Sequence, residues 1–209
     1  MLLYMKNSGI VLFSQRVEYI EAYGERRDCA DQRISEFIYD CGYIPLPVPN
    51  SVRCIEALLE QVSPLGIVLT GGNSLVKYGG NAPERDETDH YLIKYSVDHE
   101  IPLYGFCRGM QSILDYFGNS LVNVENHVAV RHVVAGDVGM YTVNSYHNQG
   151  CTELISNDLL PILCSDDGVI EMVKHKSLPI VGTMWHPERE YPFSEDDIKR
   201  IKQLFGGNQ

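Results

Sequence analysis

The sequence predicts an α/β fold: a mostly parallel sheet with helices on both faces, followed by a β-rich second half. Three observations carry this. Short apolar runs at residues 9–13, 66–69 and 101–104 alternate with longer stretches of helical spacing. Such alternation marks parallel strands joined by crossover helices. After Gly118 the texture changes to brief β-rich runs separated by turn residues. With 209 residues, 44% of them hydrophobic, the chain can bury one sizeable core. No repeat, low-complexity tract or linker divides it, so residues 1–209 read as a single domain.

The elements follow in order. Residues 9–13 form a buried strand. Residues 16–31 are polar and charged, with Arg16, Arg26, Arg27 and Arg33 close in sequence. Residues 30–41 have helical spacing and end at Gly42. Residues 44–48 carry prolines at 45 and 47, which suits an extended edge piece. Asn50 or Ser51 caps a helix through Val62, and the strand at 66–69 ends in Thr70-Gly71-Gly72. A loop rich in Gly and Asn runs to about Pro83, and a helix follows over 84–97. The run at 101–104 leads through Gly105-Phe106-Cys107-Arg108-Gly109 into a helical pattern at 110–117, which Gly118 stops. Strands are expected at 128–134, 140–144, 161–164, 169–173 and 180–185, with Asp166-Asp167-Gly168 as a tight turn. Ser194 caps a last helix that has Glu195, Asp196 and Asp197 in its first turn.

Composition narrows the partners. A net charge of −11 argues against general binding to nucleic acid or to an anionic membrane, while leaving room for a local basic patch. No apolar run approaches the roughly 18 residues of a membrane span. Residues 1–13 read as a first strand rather than a signal peptide, because no small-residue cleavage site follows them. The six cysteines, at 29, 41, 54, 107, 151 and 164, include no CxxC pair, which fits reduced cytoplasmic thiols. Oligomeric state is left open; a homo-oligomer is compatible with the sequence.

Cys107 is the residue around which the chemistry gathers. A thiol on a strand-to-helix turn between glycines is lifted clear of the sheet. The helix N-terminus favours the thiolate, and its first amides face any oxyanion formed beside the sulfur. A thiol nucleophile needs a base. His186 ends an apolar strand, where catalytic groups of parallel sheets collect, and Glu188 lies two positions on, able to orient its imidazole. By this spacing alone, His186 is equally readable as a surface histidine beside an acid. The paired glycines Gly71 and Gly72 permit close backbone approach to a ligand and suit an amide donor opposite that of Arg108. The polar run Asn144-Ser145-Tyr146-His147-Asn148-Gln149-Gly150 after a strand suits a substrate pocket or a solvated loop. His127, His132 and Cys151 match no standard zinc spacing, so no metal site is expected. Tyr78-Gly79-Gly80-Asn81 lacks the Lys-Ser/Thr of a phosphate-binding P-loop.

Four segments in order, Leu-Thr-Gly-Gly at 69–72, Gly-Phe-Cys-Arg-Gly-Met-Gln at 105–111, Asn-Ser-Tyr-His-Asn-Gln at 144–149 and Trp-His-Pro-Glu at 185–188, resemble the class I glutamine amidotransferase superfamily. Within it the chain resembles the free-standing γ-glutamyl hydrolase branch, through the arginine after the cysteine and the Asn-Ser-x-His-x-Gln pattern. The resemblance spans nearly the whole chain. It implies a flavodoxin-like fold, a Cys107–His186–Glu188 triad and an oxyanion hole at the Gly72 and Arg108 amides. It also implies that Gln111 and the stretch Ser145, Tyr146, His147 hold the glutamyl α-amino and α-carboxylate groups, and that no cofactor is needed. The expected partner is a small-molecule γ-glutamyl amide. The chain's compact size and the basic loop suggest a phosphate-bearing leaving group. That loop should emerge at the same sheet edge as Cys107, making Arg16, Arg26 and Arg27 candidate phosphate contacts. Pairing of these arginines with Glu18, Glu21, Glu25 or Asp28 is the competing expectation. A γ-aminobutyrate-type amide, or a glutaminase subunit feeding ammonia to a partner synthase, are the alternative functions.

Overall fold

A computed structural model describes residues 9–206. Residues 1–8, the first part of the expected N-terminal strand, lie outside it. The chain runs β1 (Ile10–Phe13), β2 (Arg16–Ile20), β3 (Glu25–Cys29), α1 (Gln32–Asp40), β4 (Ile44–Pro47), α2 (Val52–Leu59), β5 (Gly66–Leu69), α3 (Pro83–His99), β6 (Leu103–Phe106) and α4 (Arg108–Tyr116). It continues through β7 (Val122–Asn123), β8 (Val128–Gly136), β9 (Gly139–Tyr146), β10 (Gln149–Gly150), β11 (Leu159–Ser165), β12 (Ile170–His175), β13 (Ile180–Thr183) and α5 (Glu195–Gly206).

Nine strands form one sheet in the order β4-β1-β5-β6-β13-β12-β11-β8-β9. From β4 to β13 every neighbouring pair is parallel, and from β13 outward every pair is antiparallel. The helical first half therefore builds the parallel part, and the β-rich second half extends it. β4 takes the edge, where the missing N–H groups of Pro45 and Pro47 do least harm.

Side-chain alternation divides the core in two. Leu12, Ile67, Leu69 and Leu103 point to one face and pack with Ile55 of α2, Leu92 and Ile93 of α3, and Met110, Ile113 and Leu114 of α4. Val11, Phe13, Val68, Tyr104 and Phe106 point to the other and meet Ile34, Phe37 and Ile38 of α1 and Ile201 and Phe205 of α5. Helices thus cover both faces. Each fully buried aliphatic side chain contributes about 1.5–3 kcal/mol, so these layers dominate stability. A third cluster, Val134, Val143, Leu163, Met172 and Trp185, anchors the antiparallel half.

Four sequence expectations change. Residues 16–29 form the β2–β3 hairpin rather than an unstructured polar loop. Its strands are largely exposed, so the buried alternation that announces a strand is faint; Val17 is its inward residue. Helix α3 begins at Pro83 and runs to His99, longer than expected, while α2 stops at Leu59. β13 ends at Thr183, which leaves Met184, Trp185 and His186 in the connection beyond it. Asp31 caps α1 by accepting the Arg33 N–H at 3.0 Å.

Candidate active site

Cys107 sits between β6 and α4 at φ 51°, ψ −112°. A positive φ on a residue with a side chain costs about 1–3 kcal/mol, so the surroundings must hold it. The Cys107 N–H donates to the Thr183 carbonyl of β13 at 2.8 Å, and the Cys107 carbonyl accepts the Gln111 N–H of α4 at 3.1 Å. Gly109 lets α4 press onto β5: a Cβ there would stand 2.1 Å from the Leu69 carbonyl oxygen. The start of α4 therefore lies directly behind the thiol, and Arg108, its first residue, has an amide with no partner one turn back in the helix.

His186 reaches the same place from β13. Its Nδ1–H donates to Glu188 Oε1 at 2.7 Å, and both residues are buried. That bond fixes the tautomer and leaves Nε2 for the thiol. Burial opposes the imidazolium, but the charge and hydrogen bond of Cys107 and the Glu188 carboxylate outweigh it, raising the His186 pKa to about 9. Gly71 packs under the ring, where a Cβ would lie 2.7 Å from His186 Cε1. Arg33 of α1 steadies the turn that carries Glu188, donating to the Glu188 carbonyl at 2.7 Å and to the Glu190 carbonyl at 2.5 Å.

These groups open on a cavity of about 200 Å³ that Gly72, Gln111, Tyr146, His147 and Arg189 also line. Gly72, at φ 91°, and Asn73 form the wall opposite α4. Asn73 ties this wall to the hairpin, accepting the Val17 N–H at 2.8 Å and donating to its carbonyl at 3.0 Å. Arg189 stacks on the Tyr146 ring, 4.2 Å from its centroid.

Behind the cavity a buried ionic network joins both walls. Arg108 turns inward to Asp86, at 2.5 Å, to Asp89 and to Ser112 Oγ at 3.1 Å. Asp89 also pairs with Arg85 at 3.1 Å, and Arg85 donates to the Thr70 carbonyl at 2.9 Å. One carboxylate thus steadies the residue after Cys107 and, through Arg85, the residue before Gly71.

The family model for class-I glutamine amidotransferase matches residues 30–198. The chain belongs to that family. A γ-glutamyl-CDP-amidate hydrolase of Campylobacter jejuni is 31% identical over 200 residues, covering 92% of this chain and 95% of its own length. A γ-glutamyl-γ-aminobutyrate hydrolase of Escherichia coli O157:H7 is 29% identical over 240 residues, covering 95% and 90%. The solved glutamine amidotransferase of Thermotoga maritima superposes at a TM-score of 0.63 with 18% identity, over 95% of this chain and 82% of that one, a likeness of fold.

Of the residues singled out from the sequence, Cys107, Arg108, Gly72, Gln111, Tyr146, His147 and His186 meet at this pocket. Asn144 and Ser145 were expected against the substrate, but their polar atoms are engaged by protein. Asn144 bonds the His186 backbone twice and the Glu190 carboxylate at 2.8 Å, and Ser145 Oγ donates to the His127 carbonyl at 2.7 Å. Arg26 and Arg27 are likewise occupied. Arg26 pairs with Glu84 at 2.5 Å and Arg27 with Glu25 at 2.6 Å. Arg16 pairs with Glu18 at 2.6 Å, yet its stem packs against Gly72. Arg189 and the Arg85–Asp89 pair escaped sequence reasoning, and Arg33 was noted only as one of the clustered arginines. Only the i,i+4 spacing of Arg85 and Asp89 hinted at pairing, and nothing in it marked them as buried.

Proposed function

We propose that this chain is a cysteine-dependent hydrolase of γ-glutamyl amide bonds. The observation that carries the proposal is the convergence of the strained Cys107 elbow and the buried His186–Glu188 pair on one pocket. In this reading the Cys107 proton rests on His186, whose raised pKa suits the imidazolium. The thiolate attacks the γ-carbonyl carbon and the carbonyl π electrons move to oxygen, which faces the Gly72 and Arg108 amides. Removing one such donor typically costs about 10²–10³ in rate. Collapse breaks the C–N bond, and the His186 imidazolium gives its proton to the departing nitrogen. Neutral His186 then takes a proton from water, the hydroxide attacks the thioester, and glutamate leaves as the Cys107 thiolate and the imidazolium re-form. Glu188 holds the ring throughout.

The leaving group we favour is a nucleotide amidate. The cavity, about 200 Å³, is smaller than the roughly 300 Å³ at which drug-sized ligand sites begin. It suits an amino-acid-sized acyl group, with the leaving group outside it near Arg189 and Arg16. The C. jejuni relative, similar over nearly the full length of both chains, supports this choice. A small amine such as γ-aminobutyrate is the second reading, favoured by the ion pairs that occupy Arg26 and Arg27 and by the E. coli relative.

The test is a comparison of kcat/KM on γ-glutamyl amides that differ only in the leaving group: a cytidine diphosphoramidate, γ-aminobutyrate, and ammonia as in glutamine. The proposal expects the nucleotide amidate to be the best substrate. A preference for γ-aminobutyrate selects the second reading, and a preference for glutamine points to an ammonia-supplying subunit.

A further inference from the structure

A second cluster of functional groups adjoins the pocket, which its member His147 also lines, and moves no proton in the proposed chemistry. His127 immediately precedes β8, His147 immediately follows β9, and Glu171 lies on β12. All three are buried, and Glu171 is 0% exposed. His127 Nδ1 stands 3.2 Å from Glu171 Oε1, His147 Nε2 stands 3.4 Å from the same oxygen, and the two nitrogens are 3.3 Å apart. Neither carboxylate oxygen of Glu171 has a hydrogen bond of normal geometry.

The outer contacts of both rings sharpen this. His127 Nε2 lies 2.9 Å from Asp167 Oδ2, and His147 Nδ1 lies 3.2 Å from the Gln149 carbonyl. Both of those oxygens only accept, so they are satisfied by a ring N–H at the outer nitrogen of each histidine. Inside the cluster, the two inner ring nitrogens and a carboxylate oxygen face one another at 3.2–3.4 Å. A buried carboxylate is costly without a compensating positive charge, and the arrangement leaves a place for one. Ligand atoms at about 2.0–2.1 Å around a tetrahedral zinc ion stand about 3.3–3.4 Å apart, which is the spacing seen here. An outer carboxylate on the far nitrogen of a ligating histidine, as Asp167 provides, is a recurrent support of zinc sites.

We propose that His127 Nδ1, His147 Nε2 and Glu171 Oε1 bind a divalent transition-metal ion of the zinc class. His132, whose Nε2 lies 3.6 Å from the same Glu171 oxygen, or a water molecule takes the fourth corner. Two nitrogens and one oxygen in tetrahedral array select zinc over magnesium or calcium, which require six or more oxygen-rich ligands. The site is structural. It fastens the ends of two neighbouring antiparallel strands to β12, and the Glu171 backbone carbonyl accepts the Met184 N–H at 2.8 Å, two residues before His186. Tyr146 and His147 line the pocket, so the ion fixes that wall. The sequence predicted no metal site, because His127, His132 and Cys151 match no zinc spacing. Cys151 turns its sulfur to the Glu153 carbonyl at 3.1 Å, and the partners of His127 come from residues 147 and 171.

The test uses the Cys107→Ala protein, so that the elbow thiol cannot take up metal. After chelator treatment it is titrated with Zn²⁺ and with Co²⁺. The proposal expects one ion per chain, the visible bands of tetrahedral Co²⁺, and a melting temperature that rises with free Zn²⁺ by mass action. Glu171→Gln removes the site. Because that variant alters a fully buried residue, Asp167→Asn is the companion: its side chain is 47% exposed, and it weakens Zn²⁺ binding by about tenfold through loss of the outer carboxylate. Absence of stoichiometric uptake, as when protons alone neutralise the cluster, overturns the proposal. So does affinity left unchanged by both variants.

Discussion

Asn144 grips the backbone of His186 from both sides: its Oδ1 accepts the His186 N–H at 2.9 Å and its Nδ2 donates to the His186 carbonyl at 2.9 Å. The residues are 42 positions apart, and a buried side-chain amide joins the end of β9 to the connection beyond β13. The pair of bonds satisfies two backbone groups where no strand partner does so. It also sets the position from which the imidazole reaches Cys107. Asn144 is a positioning residue in this account.

Asn144→Ala should therefore lower kcat by about 10²-fold, the usual cost of a misplacement near 1 Å, while KM for a γ-glutamyl amide stays close to its original value. Steady-state kinetics on both parameters check this. A rise in KM with kcat unchanged would show that Asn144 contacts the substrate.

The Arg85–Asp89–Arg108 network is buried throughout. Removal of one partner leaves uncompensated charge, which typically costs about 3–5 kcal/mol. Asp89→Ala should lower the melting temperature by roughly 10 °C in a chain of this size. A loss within the ordinary range of surface substitutions would contradict the tie between the two pocket walls.

His186 has its pKa raised to about 9. The thiolate–imidazolium pair needs the proton on His186, so it persists below that value and is lost as pH rises through it. The kcat/KM for hydrolysis should hold up through neutral pH and fall on an alkaline limb near pH 9. A limb near the ordinary histidine value of about 6.5 would show that Cys107 and Glu188 do not stabilise the imidazolium.

Arg189 lines the pocket with its guanidinium on the Tyr146 ring, whereas Arg26 and Arg27 lie in ion pairs with Glu84 and Glu25. Arg189→Ala should raise KM for a nucleotide amidate by about tenfold, the value of a hydrogen bond to a charged group. Arg27→Ala should leave it unchanged. The reverse pattern would return the phosphate to the hairpin.

Much of this was legible in the sequence for physical reasons. Short apolar runs give buried parallel strands, and Gly105 and Gly109 around Cys107 announce a turn that other residues could not make. The two-residue spacing of His186 and Glu188 is local, so their bond could be foreseen. The hairpin at 16–29 was illegible because its strands are mostly exposed and carry little apolar alternation. The Asn144 grip and the His127–His147–Glu171 cluster depend on how distant strands meet. His127 and His147 come together through the β8–β9 register, in which Val128 faces Tyr146, and Glu171 is brought in by β12. No spacing rule contains such a pairing. Arg108 entered the sequence reading through its backbone amide, and nothing local foretold that its side chain turns inward to Asp86 and Asp89 of α3.

The most direct test of the central claim is to trap the covalent intermediate. The protein is mixed with a γ-glutamyl amide, quenched in acid within the first turnovers, digested and read by mass spectrometry. The account predicts one added glutamyl group, held as a thioester on the peptide containing Cys107 and absent from Cys107→Ala. A glutamyl adduct on another cysteine, or turnover by Cys107→Ala at the original rate, would contradict it.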